Sequence, residues 1–273
     1  MNRTSPSTPD FDAIKSKQNA SWASGDYALV GSTIQIMAEK LAETMNLAPP
    51  AKVLDVAAGS GNASIAFARR WHDVTSTDYV ESLLAKGKAR AGVFGYRINF
   101  ETADAEALPF DSDAFDAVVS TVGVMFAPNQ EQAAAELTRV CKPHGLIGLT
   151  NWTGSGFIGQ LLKTIGQHVP PPPGVNPPAV WGDEAWLKDT FAGTVQDIRC
   201  SKRDYTFRYK DAGHFVEVFR TYYGPVHKAF LALDEPRQQA LADEITALIA
   251  RFNRATDGSM DVPAEYTEVV MVR

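Results

Sequence analysis

Between Val53 and Thr150 five short apolar runs alternate with segments that can be helical. The runs are Val53 to Val56, Val74 to Thr77, Ile98 to Thr102, Ala117 to Thr121 and Leu146 to Thr150, and the helical segments begin at Ala63, Glu81 and Gln130. A helical crossover carries the chain back over one face before the next strand starts, so successive strands lie parallel. The pattern predicts a doubly wound, mainly parallel α/β sheet. Ahead of it, Val30, Ile34, Met37, Leu41 and Met45 recur at helical spacing and predict one amphipathic helix that ends before Pro49-Pro50.

The alternation changes after Trp152. A helical stretch from Phe157 to Gln167 runs into "VPPPPGVNPPAVWG", where the prolines forbid regular helix and favour an extended loop or lid. "TVQDIRCSKRDYTFRY" alternates as a strand does, Ala212 to Leu233 and Glu235 to Ala255 read as helical, and "AEYTEVVMVR" reads as a final strand. A strand that returns after helices fits an antiparallel edge on an otherwise parallel sheet. The intervening helices are expected near the carboxyl ends of the strands, where open α/β sheets bind ligands.

Composition narrows the function classes. A chain of 273 residues that is 45% hydrophobic can bury a sizeable core. A net charge of −6 without a Lys/Arg block argues against a nucleic-acid partner and for a small molecule. Cys141 and Cys200 are far apart and lack metal-ligand spacing, which predicts a reducing, cytoplasmic setting and no disulfide framework. No apolar run approaches the 18 residues of a membrane span, and "MNRTSPSTPD" has no apolar core of a secretion signal.

The chemistry is signalled by "VLDVAAGSGNAS", Val53 to Ser64, an apolar strand that breaks into small residues before a helix. Gly59 and Gly61 can take positive φ and admit a nucleotide-sized group to bare backbone, with the unpaired N–H groups of a helix N-terminus behind them. A dinucleotide fingerprint would need a third glycine where Asn62 stands, so a nicotinamide oxidoreductase is the weaker reading. Asp55, Gly59 and Gly61 instead match the pattern D-x-G-x-G-x-G, with Ala57 in place of its first glycine. The stretch resembles the first motif of class I S-adenosylmethionine-dependent methyltransferases, more narrowly the ubiquinone/menaquinone C-methyltransferase-like branch.

Three further segments extend the resemblance in order. In "VTSTDYVESLL", Asp78 matches the acid that receives the ribose hydroxyls, and Tyr79 and Leu83 match positions flanking adenine. In "TADAEALPFDSDAFDAVVS", Asp104 and Ala105 fall where adenine is read, and Ser120 where the fourth strand opens toward the methionyl group. "ELTRVCKPHGLIGLTNW" matches a structural segment leading to the fifth strand, departing from it at Cys141 and His144. The resemblance implies a Rossmann-like seven-stranded sheet with an inserted C-terminal helical lid, and S-adenosylmethionine as cofactor. It implies residues 1–50 as a helical segment covering the cofactor, 51–153 as the binding core, 154–262 as a substrate lid and 263–273 as the last strand. Asp55 can either hold the backbone of its loop or touch the ligand's amino group, and Trp22 and Tyr27 lie in the covering segment.

Substrate recognition is expected from the aromatic C-terminal part. Trp181 belongs to it, and Arg220, Tyr223 and His227 collect about a helix interruption at Gly224-Pro225. A sulfonium methyl is already electrophilic, so transfer to an O, N or C atom of a small acceptor needs chiefly orientation. If a general base is used, His168, His214 and His227 are the candidates, with His227 foremost. No compact ligand group argues for a metal, and two cysteines are too few for arsenite methylation. The rival to an enzyme is a regulatory protein that binds S-adenosylmethionine without turnover.

Overall fold

The computed structural model describes residues 9–273. The first eight residues of the expected covering segment, and with them most of "MNRTSPSTPD", lie outside the described residues. All five expected strands form: β1 (Lys52–Val56), β2 (Asp73–Asp78), β3 (Ile98–Thr102), β4 (Phe115–Thr121) and β5 (Cys141–Trp152). Two long strands, β6 (Asp197–Tyr209) and β7 (Met260–Val272), complete a seven-stranded sheet in the order β3-β2-β1-β4-β5-β7-β6. The first five strands are parallel, and β7 runs antiparallel to both β5 and β6. The closing strand therefore lies inside the antiparallel edge of the sheet, and β6 is outermost.

Chain order reverses between β1 and β4, which opens a crevice at their carboxyl ends. Helices α4 (Asn62–Ala68), α5 (Glu81–Val93) and α6 (Gln130–Val140) are the crossovers. One face of the sheet buries Leu54, Val56, Val118, Ile147 and Leu149, and the other buries Val53, Ala117, Val119 and Val270.

The predicted single helix from Val30 to Met45 is corrected to two, α2 (Tyr27–Thr33) and α3 (Gln35–Met45). Ile34, at φ −95° and ψ 13°, ends one and starts the other, and the Thr33 hydroxyl donates to Val30 O at 2.7 Å within the last turn of α2. The five apolar residues are buried all the same, each contributing about 1.5–3 kcal/mol of transfer free energy. Before them lies α1 (Phe11–Trp22), which periodicity did not signal because only Ile14 and Trp22 of its twelve residues are buried.

Beyond the sheet core come α7 (Phe157–His168), the proline loop closing in a 3-10 turn at Pro178–Gly182, and α8 (Glu184–Thr190), capped by Asp183. The expected interruption before Pro225 separates α9 (Ala212–Tyr222) from α10 (Gly224–Leu231), and α11 (Glu235–Phe252) follows. Tyr223, at ψ 105°, leaves the helical region there, and Pro225 has no N–H to continue the ladder.

Candidate active site

The loop after β1 is held open from below. Asp55 is buried, and its Oδ2 accepts from the Ser64 N–H at 2.7 Å and the Ser64 hydroxyl at 2.6 Å. Burial pushes its carboxyl up to about 7 despite those donors. Asp55 thus fastens the start of α4 and does not line the crevice. Above it Ala57, Gly59 and Gly61 all take positive φ, and a Cβ on Gly59 would come within 3.4 Å of the Tyr27 ring. A Cβ on Gly123, in the loop after β4, would lie 2.1 Å from Ala57 O. The two loops at the switch point therefore touch backbone to backbone.

Asp78 ends β2 facing this loop. Its Oδ2 accepts from the Gly59 N–H and its Oδ1 from the Val80 N–H, both at 2.8 Å. Burial pushes its carboxyl up to about 6, against the pull of those backbone donors. Each oxygen keeps a second lone pair. Around it lies a pocket of about 800 Å³, counted to its open mouth, which Ala57, Gly59, Asp78, Tyr79, Leu83, Asp104 and Ala105 all line.

The roof is α1. Lys15 Nζ lies 2.7 Å from Asp104 Oδ2 and 3.2 Å from Glu106 Oε2, and Asn19 donates to Tyr79 O at 2.7 Å. Burial works against the ammonium, yet its bonds to Asp104 and Glu106 hold it above the ordinary lysine range. Gln18 lies on the pocket face of the same helix, and its Oε1 is buried with no partner among the described residues. Thr121, at the end of β4, also lines the pocket, and its hydroxyl is buried with no partner among the described residues.

One wall is aromatic. Trp22, Tyr27 and Phe126 line the pocket, with Trp22 packing edge-on against Tyr27 at 5.3 Å and Phe126 at 4.9 Å between centroids. Tyr223 stands behind them, 5.6 Å from Trp22 and 6.1 Å from Tyr27. Burial, then the Asp78 charge, pushes the Tyr27 phenol up to about 12.

Other predicted site residues sit elsewhere. Gly61 caps α4 beneath the loop. The Ser120 hydroxyl donates to Val56 O at 2.6 Å and accepts from the Val124 N–H at 2.9 Å, so it ties β4 to β1. Trp181 is fully buried against Trp186 and Phe191. Arg220 lies over the Phe230 ring at 4.8 Å and bonds Gln238, while His227 Nδ1 rests 2.9 Å from Arg220 O. His168 pairs with Glu244, and His214 accepts from the Lys210 N–H. None of these three histidines lines the pocket. Among the described residues no group of three or more His, Cys, Asp or Glu is placed to hold a metal ion.

Sequence reasoning missed Lys15, Gln18, Glu106, Thr121 and Phe126. The spacing of Lys15, Gln18 and Trp22 at i, i+3 and i+7 was a signal of one helical face, hidden by the polarity of two of the three.

Comparison with known proteins bears on this geometry. Residues 53–145 match the model of a family described as "Methyltransferase domain", which spans the loop, Asp78 and the floor of the pocket. An uncharacterised protein of Mycobacterium tuberculosis is 38% identical over 250 residues, 90% of this chain and 91% of that relative. A demethylmenaquinone methyltransferase of Clavibacter sepedonicus is 40% identical over 111 residues, 40% of this chain and 44% of that enzyme. Among solved structures, a protein of Bacillus halodurans described as a "putative methyltransferase" superposes with a TM-score of 0.60 at 19% identity, covering 86% of this chain and 97% of that one.

Proposed function

Since the chain belongs to the class I S-adenosylmethionine-dependent methyltransferases, we propose that it methylates a small acceptor with a flat or apolar body, chiefly by positioning it. The observation that carries this reading is the roofed pocket: α1 is strapped across it by Lys15 and Asn19, and Trp22, Tyr27 and Phe126 wall it. A flexible polymer would have to displace the roof to reach it.

The residues present fit the cofactor. A nucleoside brings hydroxyl and amino donors, and the pocket offers the free lone pairs of Asp78, the unpaired Gln18 Oε1 and the Thr121 hydroxyl. We assign Ala57, Gly59, Asp78, Tyr79, Leu83, Asp104 and Ala105 to holding it, with Asp55, Gly61 and Ser120 shaping the loop from behind. S-adenosylmethionine, when bound, supplies an electrophilic methyl group. The aromatic wall excludes water and orients the acceptor, which can supply about 7–11 kcal/mol of the barrier at best. His227 stands outside the pocket, which favours orientation over catalysis by histidine.

The likeness of the core to a demethylmenaquinone methyltransferase makes quinone-like rings the first acceptors to try. The reading includes residues 154–262 as the substrate lid. It also includes a cytoplasmic setting without a nucleic-acid partner, in keeping with two free thiols and the acidic charge. No helix among the described residues is long and apolar enough to cross a membrane. The test is a screen of phenols, quinols and heterocycles for release of S-adenosylhomocysteine. Turnover on a protein or nucleic acid, and on none of these, would refute the proposal.

A further inference from the structure

The glycine loop is also gripped from outside the pocket. Helix α5 packs closely on it at Gly87, where a Cβ would lie 3.3 Å from Ser60 C and 3.4 Å from Ser60 O. Arg90 follows one helical turn on, along the same side of α5. Its Nη1 lies 2.6 Å from Ser60 O, 3.1 Å from the Ser60 hydroxyl and 3.0 Å from Asn62 Oδ1, donating to all three, and its Nη2 donates to Gln35 Oε1 of α3 at 2.9 Å.

Two amides complete the junction. Gln35 Nε2 donates to Asn62 O at 3.0 Å, and Asn62 Nδ2 donates to Gly31 O of α2 at 2.7 Å. Asn62 stands where a dinucleotide fingerprint has its third glycine, and both polar ends of its side chain are engaged here. The loop, the covering helices α2 and α3, and α5 therefore meet at one guanidinium.

That guanidinium is half-buried, and among the described residues it bonds only neutral oxygens. Burial pulls its pKa below the ordinary arginine range. Glu39, which Gln35 Nε2 reaches at 3.3 Å, is itself paired with Arg69 and Arg70. A cation drawn partly out of water without a counter-charge is costly, and it persists where its hydrogen bonds hold something that needs holding. The loop is such a thing. Ala57, Gly59 and Gly61 take φ of 52°, 56° and 81°, and the first of them is not a glycine. Ser60 and Asn62 line the pocket, whereas Arg90 and Gln35 do not.

Resting on the methyltransferase reading above, we infer that Arg90 is a positioning residue for S-adenosylmethionine: by bonding Ser60, Asn62 and Gln35 at once, it holds the glycine loop in its ligand-ready shape before the ligand arrives. A loop that kept this shape in only about one molecule in ten would bind about tenfold more weakly. The planar guanidinium offers its donors in a fixed fork that spans the loop and α3, and the single ammonium of a lysine does not.

The test uses Arg90→Met and Arg90→Lys in the full chain, with S-adenosylhomocysteine as the probe. Calorimetric affinity should fall by at least about tenfold in both. In protein isotopically labelled at glycine, the Gly59 and Gly61 amide signals should move or broaden in the ligand-free variants and return to their wild-type positions on saturation, which a general loss of stability would not produce. Affinity within about twofold of wild type in Arg90→Met, or unmoved glycine signals, overturns the inference. So does full recovery of affinity in Arg90→Lys, because charge alone would then suffice. Should neither variant fold, Gln35→Met removes the anchor on α3 while leaving Arg90 on the loop, and it should move the same two signals; unmoved signals there overturn the inference equally. Failure of the wild type to bind S-adenosylhomocysteine would overturn the methyltransferase site instead.

Discussion

Replacing Asp78 by Asn separates what this residue does for the fold from what it does for the ligand. The step from an ordinary carboxyl value of 3.8 to about 6 corresponds to about 3 kcal/mol, the cost of ionising the buried group at neutral pH. Because the folded value is raised, the stability linked to this group is fully present below pH 3.8 and lost as pH rises through about 6. Asn removes that cost. It also turns an amide donor toward one of the two N–H groups, of Gly59 and Val80, that the carboxylate satisfies, a loss of about 1–3 kcal/mol. The terms offset, so thermal unfolding at pH 8 should be nearly unchanged, and the variant should lose the extra stability that the wild type gains near pH 4. Binding has no such offset. A hydrogen bond to a charged carboxylate is worth about 1.5–3 kcal/mol, so affinity for S-adenosylhomocysteine should fall about 10- to 100-fold at pH 8. In the wild type, affinity should drop about tenfold per pH unit below about 6, and in Asp78→Asn it should be flat. Calorimetric titration of both proteins at pH 5, 6 and 8 measures this directly. Equal affinities at pH 8, or a wild-type affinity independent of pH, would refute the placement of the ribose at Asp78.

Other substitutions probe the rest of the pocket. Gly123→Ala drives a Cβ into Ala57 O, so it should cost about 1–3 kcal/mol in a denaturant titration and weaken S-adenosylhomocysteine binding. Lys15→Gln frees α1 from Asp104 and Glu106. Stopped-flow measurement should show faster release of S-adenosylhomocysteine, and the melting temperature should fall as well, because Glu106, 5% exposed, loses its counter-charge. His227→Ala removes a side chain that bonds Arg220 O and does not line the pocket, so kcat with any acceptor found should stay within about threefold; a loss of about 100-fold would restore it as a base.

The parallel core was legible because each strand is an apolar run closed by small or polar residues, and Ile98–Thr102 matches its expected bounds outright. Asp78 was read from the resemblance of its segment to the family's motif series, and it lies at the pocket beside the glycine turn. The roof was not. Of the α1 residues that shape the pocket, Lys15 and Asn19 are polar, and Asp104 and Tyr79, to which they bind, lie 89 and 60 residues away, where local patterning says nothing about pairing. Arg220 and His227 drew attention as polar groups beside a broken helix, but their needs are met locally, by Gln238 and by a backbone carbonyl. The pairing of β5 with β7 could not be read either, since it joins distant stretches of chain.

The aromatic wall joins Trp22, near one end of the chain, to Tyr223, near the other, and a Cβ on Gly224 would sit 2.4 Å from Ser21 O. Contacts of such sequence separation carry the largest loop-closure cost and form late. All the residues that line the pocket precede α10 in the chain, so Tyr223 braces from behind a wall already built from Trp22, Tyr27 and Phe126, and a ligand against that wall stabilises the docking of both ends as well as the core.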